Sequence, residues 1–105
     1  MSLSTHVLDT TLGAPAAGVA VRLEGAGGTL AEAVTDADGR VRELAAELDE
    51  GTHRIVFDTA GYFASAGRET FYPEVTVTFT VTDPRRHHHV PLLLSPYSYS
   101  TYLGS

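Results

Sequence analysis

The sequence predicts an all-β sandwich with one short helix. Short runs in which apolar and polar residues alternate recur along the 105-residue chain, and a period of two is the mark of a half-buried strand. Gly, Pro and Asp clusters punctuate those runs, giving eight short strands with turn signals between them, the pattern of a sandwich. No stretch reads as a βαβ unit, a Gly-rich phosphate loop or an internal repeat.

The first strand runs from Leu3 to Leu8, with Leu3, Thr5 and Val7 on one face and Ser4, His6 and Leu8 on the other. Asp9 to Gly18 is a connection rich in Thr, Gly, Ala and Pro, punctuated by Pro15. Val19 to Glu24 alternates cleanly, with Val19, Val21 and Leu23 facing inward; Gly25 to Gly28 suits a hairpin turn, and Thr29 to Thr35 is a weaker strand. Asp36 to Arg40 is a turn in which Gly39 can take positive φ. A short strand over Arg40 to Glu43 then gives way to loop, although Leu44, Ala45 and Leu48 also fit a helical spacing.

Thr52 to Asp58 is a firm strand, with His53, Ile55 and Phe57 opposite Arg54, Val56 and Asp58. Gly61 to Gly67, which holds Tyr62, Phe63 and two alanines, reads as one or two helical turns. Thr76 to Val81 is rich in β-branched residues, as strands are. After the Asp83-Pro84 turn, His87 to Leu94 and the Tyr/Ser/Thr run from Tyr97 form two strands joined tightly at Ser95-Pro96. Pro91 lacks an N–H, so an interior strand there requires a bulge or irregularity near His89 to Pro91.

The length suits one domain spanning residues 1–105, near the size at which assembly helps stability. There is no Cys, so disulfides and thiolate chemistry are excluded. A net charge of −6, with seven Arg and no Lys, argues against nucleic acid or an anionic membrane as partner. No apolar run approaches the roughly 18 residues of a membrane span. No basic-then-apolar leader precedes the first strand, so the expected location is cytoplasmic, or periplasmic if a leader has been removed.

Few side chains can carry chemistry. Strand alternation puts His87 and His89 on one face and His88 on the other. A His-x-His pair can hold a metal ion, or it can be two exposed polar residues. His6 is a lone strand histidine, a type more often at the surface or satisfied in a core than catalytic. Arg40 follows a turn glycine, where a solvated charge is the common outcome; Arg85 and Arg86 are turn charges, and His53 has no assigned role. The segment Tyr102 to Ser105 would ordinarily be a frayed terminus.

The segment His89-Val90-Pro91-Leu92-Leu93-Leu94-Ser95-Pro96-Tyr97-Ser98-Tyr99-Ser100-Thr101-Tyr102-Leu103-Gly104-Ser105 resembles the carboxy-terminal signature of the 5-hydroxyisourate hydrolases, the transthyretin-related enzymes of urate breakdown. The resemblance extends back through Asp38-Gly39-Arg40 to Ser4-Thr5-His6-Val7-Leu8-Asp9. It implies a transthyretin-like sandwich of two four-stranded sheets with one short helix. The family's marks are a first-strand histidine, an arginine after an Asp-Gly turn, a histidine before Val-Pro, and a terminal Tyr-Arg-Gly-Ser. They fall on His6, Arg40, His89 and Tyr102-Leu103-Gly104-Ser105, so Leu103 departs from the pattern. Transthyretin itself lacks the His/Arg/His set. The resemblance also implies a homotetramer, a dimer of dimers with sites where dimers meet.

The resemblance implies hydrolysis of a strained cyclic amide to a ureido-imidazoline carboxylate in purine catabolism, and those residues suit such chemistry. A neutral imidazole can take a proton from water. An arginine offers planar donors to urate-like oxygens and to the developing anion. The expected roles are water activation by His6 and His89, substrate binding and charge stabilisation by Arg40, and closure of the pocket by Ser105 and Tyr102, with no cofactor or metal. Two alternatives stand beside it: a transthyretin-type carrier of a small ligand without turnover, and a metal-dependent protein using His87, His89 and His6.

Overall fold

The computed structural model describes residues 2–105. Its strands are β1 Leu3–Asp9, β2 Ala14–Pro15, β3 Ala20–Gly25, β4 Gly28–Val34, β5 Arg40–Ala45 and β6 Gly51–Phe57, then β7 Val75–Val81, β8 His88–His89, β9 Leu92–Leu94 and β10 Tyr99–Thr101. One helix, α1 Thr59–Ser65, lies between β6 and β7. Strands β4-β3-β6-β7 make one antiparallel sheet. The second sheet has six segments, which fall into four lines. Leu3 of β1 pairs with Ala45 of β5 and with His88 of β8, so these flank it on opposite edges. Further along β1, Leu8 pairs with Pro15 of β2 and with Leu93 of β9. The lines are therefore β5 with β2, β1, β8 with β9, and β10. The predicted architecture of two four-stranded sheets holds, with two of the lines broken.

Alternation builds the core between the sheets. Leu3, Val7, Leu23, Ile55, Phe57, Val81, Leu92 and Leu94 are fully buried, and Phe63 of α1 closes one side. Side chains of this size contribute about 1.5–3 kcal/mol each on burial. Asp9, at the inward-facing end of β1, is buried with them. It accepts from Tyr62 Oη at 2.8 Å, from Arg68 Nη1 at 2.6 Å, and from the Thr11 and Leu12 N–H groups.

The differences from the sequence expectation have local causes. The helix starts two residues before Gly61, because Asp58 caps it by accepting from the Gly61 N–H at 3.0 Å. Strand β5 runs on to Ala45, because a register shift opposite Leu3 and Thr5 turns Leu44 into the core. The line through β8 and β9 breaks at Val90-Pro91, as the proline requires. There the Val90 N–H donates to Ser4 O at 3.0 Å, and the Val90 carbonyl accepts from Thr5 Oγ1 at 2.7 Å.

Candidate active site

The outer face of the β1 sheet collects the candidate groups. The turn before β5 presents Arg40. Asp36 Oδ1 accepts from the N–H groups of Asp38 at 2.9 Å and Arg40 at 3.0 Å. Those bonds, that from Arg40 first, hold the Asp36 carboxyl below its ordinary range. Gly39 has φ 75°, and any Cβ there would collide with the Val7 carbonyl, so the turn needs glycine. The Gly39 carbonyl accepts from the Val7 N–H at 2.7 Å, which pins the turn to β1. Arg40 is the cross-strand partner of His6, a relation that puts the two side chains on one face.

His6 Nε2–H donates to the Asp38 carbonyl at 2.9 Å. A carbonyl only accepts, so a neutral His6 carries its proton on Nε2 and keeps Nδ1 as a lone-pair acceptor. On the other edge of β1, Ser4 is the partner of His89. Ser4 Oγ lies 2.7 Å from His89 Nδ1 and 2.9 Å from His87 Nε2. Both histidines therefore face outward, while His88 points inward and is 6% exposed.

His89 is half-buried, and its imidazole is held below the ordinary histidine range. Burial is the main cause, followed by the nearby positive charge of Arg40 and by His6 and His87. The His89 ring is thus predominantly neutral at pH 7. A cleft of about 290 Å³ opens over it, lined by Ser4, Thr5, Arg40, Arg42, His87, His89 and Ser105. Arg42, exposed on the rim, is paired with Asp38 at 3.5 Å and Asp36 at 4.0 Å.

The terminal segment is docked. The Gly104 N–H donates to the His89 carbonyl at 2.8 Å, and the two residues form a bridge. A Cβ on Gly104 would lie 2.6 Å from His89 Cδ2, so only glycine lets the chain pass the ring. This contact carries Ser105 to the cleft.

Of the five residues expected from the sequence, Arg40, His89 and Ser105 line one cleft and His6 stands beside it. Tyr102 does not reach it. Together with Leu103 it lines a separate cavity of about 320 Å³ against Val77, Phe79, His88 and Val90. Sequence reasoning overlooked Ser4 and Arg42; alternation with His6 and with Arg40 was the signal for each. Among the described residues no three His, Cys, Asp or Glu side chains cluster as a metal site.

Comparison with known proteins gives the family. The HIUase/Transthyretin family matches residues 3–104. A mouse 5-hydroxyisourate hydrolase is 44% identical over 111 residues, covering 98% of this chain and 94% of the relative. The solved structure of the Klebsiella pneumoniae 5-hydroxyisourate hydrolase superposes with a TM-score of 0.93 at 42% identity, covering all of both chains. Sea bream transthyretin in complex with thyroxine superposes with a TM-score of 0.90 at 34% identity, covering 99% of this chain and 95% of that one.

Proposed function

The chain belongs to the HIUase/Transthyretin family, and on that premise we propose that it is a hydrolase that opens the ring of 5-hydroxyisourate in urate breakdown. The observation that carries this reading is one cleft holding a neutral, half-buried His89 next to Arg40, with His6 on the adjoining strand position.

Water adds to a ring amide carbonyl, giving a tetrahedral oxyanion. The C–N bond then breaks to leave a carboxylate and a protonated ureido nitrogen. His89 offers Nε2 to the attacking water, because Ser4 occupies its Nδ1. The free Nδ1 of His6 accepts from water or substrate and fixes its orientation. Arg40 supplies a permanent charge and planar donors for the substrate oxygens and for the oxyanion. Ser105 closes the open side of the cleft as a hydrogen-bonding hydroxyl. Positioned acid–base groups contribute on the order of 10² to 10⁴ in rate. Tyr102 acts on the substrate only through assembly, since it lies outside this cleft within one chain. No cofactor or metal takes part.

The whole 105-residue chain forms one such domain, and the active unit is a homotetramer, a dimer of dimers. Its support is that the cleft is open on a bare sheet face, while β7 and β10 end their sheets with unpaired edges among the described residues. Leu103 departs from the terminal signature of the hydrolases. That residue lines the other cavity, so its departure from the family signature leaves the groups of the cleft in place.

The test follows the absorbance decay of freshly generated 5-hydroxyisourate. The wild type accelerates it, His89→Ala and Arg40→Ala abolish the acceleration, and a chelator changes nothing. A wild-type rate equal to spontaneous decay overturns the hydrolase reading.

A further inference from the structure

We infer that Ser4 and His87 form a proton relay that connects His89 to the solvent-exposed side of the cleft. The inference rests on the hydrolase reading and extends it to two residues outside the His/Arg/His set.

The geometry is specific. One hydroxyl stands 2.7 Å from a nitrogen of His89 and 2.9 Å from a nitrogen of His87. A serine hydroxyl has one proton and two acceptor lone pairs, so it can donate to one ring while it accepts from the other. Two arrangements follow. In the first, Ser4 Oγ–H donates to His87 Nε2, His89 Nδ1–H donates to Ser4 Oγ, and His89 Nε2 is a bare lone pair, which is the base form. In the second, His87 Nε2–H donates to Ser4 Oγ, Ser4 Oγ–H donates to His89 Nδ1, and His89 carries its proton on Nε2, which is the acid form. Both leave His89 neutral.

The reaction converts one arrangement into the other. As the water oxygen bonds to the substrate carbonyl carbon, a water proton passes to His89 Nε2. The Nδ1 proton moves to Ser4 Oγ, and the serine's own proton moves to His87 Nε2. The positive charge then sits on His87 and balances the oxyanion. When the C–N bond breaks, His89 Nε2 gives its proton to the departing nitrogen. The relay runs back from His87 through Ser4 to His89 Nδ1, and the starting arrangement is restored. One water is consumed: one of its protons ends on the ureido nitrogen, and the other passes to solvent as the new carboxylic acid ionises to the carboxylate.

The surroundings favour moving the proton on over keeping it. The groups facing His89 are His6 from β1, Arg40 and Arg42 from β5, His87 beside it and Ser105 from the tail; Asp36 and Asp38 are engaged with Arg42. Among the described residues no Asp or Glu side chain lines the cleft to stabilise an imidazolium at His89. His87 is exposed, so a charge there stays in contact with water.

The experiment compares wild type with Ser4→Ala, Ser4→Thr and His87→Gln. It measures kcat and KM for 5-hydroxyisourate across pH, and kcat in mixtures of light and heavy water. Loss of the relay lowers kcat on the order of tenfold or more, less than loss of a full acid–base group, with KM little changed. In Ser4→Ala and His87→Gln the dependence of kcat on the heavy-water fraction changes from curved, which reports several protons in flight, to linear. Ser4→Thr keeps a hydroxyl and retains both kcat and curvature. Wild-type kcat with wild-type curvature in His87→Gln, a surface change that folding tolerates, overturns the relay while leaving the hydrolase reading intact. A wild type that does not accelerate decay overturns both.

Discussion

Alanine at position 104 isolates the contact between the tail and the His89 ring. Gly104 is not among the glycines with positive φ, which are Gly13, Gly18, Gly28, Gly39, Gly51 and Gly67. Its backbone therefore accepts alanine, and the cost lies in the space the methyl needs. That Cβ would be 2.6 Å from His89 Cδ2 and 3.2 Å from both Cγ and the His89 carbonyl. Carbon atoms settle at about 3.5–4.0 Å, so the tail or the ring must yield by about 1 Å. If the tail lifts, the bond from the Gly104 N–H to the His89 carbonyl is lost, at a net cost of about 0.5–1.5 kcal/mol. If the ring turns, it leaves its rotamer at about 0.5–1.5 kcal/mol and departs from Ser4 Oγ. Either route costs about 1 kcal/mol, and for a domain of this size that lowers Tm by about 4–8 °C. The effect on catalysis is larger, because a 1 Å displacement of a reacting group costs about 10²-fold. Gly104→Ala should therefore stay folded by circular dichroism, melt a few degrees lower, and lose about two orders of magnitude in kcat/KM. A variant with wild-type kcat/KM would show that the tail contact does not set the position of His89.

Two further outcomes test separate parts of the structure. Burial and the charges of Arg40, His6 and His87 hold the His89 imidazole low, so kcat/KM should stay level at neutral pH and fall on the acid side with an apparent pKa beneath the ordinary 6.5; an acid limb above that value would contradict a neutral His89 base. Burial pushes the Asp9 carboxyl up, but hydrogen bonds from Arg68, Tyr62 and the Leu12 N–H, with the Arg68 charge, outweigh it and hold it below 3.8. Its stabilisation is full above the unfolded value of 3.8 and drains away as pH falls through the lower folded value. Asp9→Asn should cost about 2–3 kcal/mol in a urea titration at neutral pH and flatten the loss of stability in acid; an unchanged urea midpoint would contradict this account.

Much of the fold was legible because alternation records burial. Leu3, Val7, Val21, Leu23, Ile55, Phe57 and Val81 fall in the core as the period of two requires. The break at Val90-Pro91 was legible because a residue without an N–H cannot continue a ladder. The strand count was harder to read. Ala14–Pro15 pairs with β1 for only two residues inside a stretch that looks like loop, and such a pairing leaves no periodic trace. The start of α1 was missed for a similar reason: a single capping carboxylate at Asp58, and not a pattern, sets it. In the site, residue identity marked His6, Arg40 and His89, but position depended on pairings that cross most of the chain. Tyr102 was assigned to the pocket because it shares a tetrapeptide with Ser105. The chain after β10 instead turns Tyr102 and Leu103 toward β7, and it returns to the cleft only at Gly104, where the bridge to His89 forms.

The site therefore depends on one register. Strand β1 meets β8 in parallel, with Leu3 opposite His88 and Ser4 opposite His89, and alternate residues of a strand face opposite sides of its sheet. A slip of one residue would turn His89 into the core and His88 onto the cleft. It would also remove the hydroxyl that reaches both outward-facing histidines. Two contacts between β1 and Val90 oppose that slip: the Val90 N–H on the Ser4 carbonyl, and Thr5 Oγ1 on the Val90 carbonyl. The first keeps the spacing of the His88 N–H on the Ser2 carbonyl, and the second takes the Val90 carbonyl at the strand break. Pro91 thus does more than interrupt a sheet. By ending β8 after His89, it leaves the Val90 carbonyl to Thr5 Oγ1, a contact that helps to fix the register. The irregularity that interrupts the sheet thus adds a contact to the register on which the cleft depends.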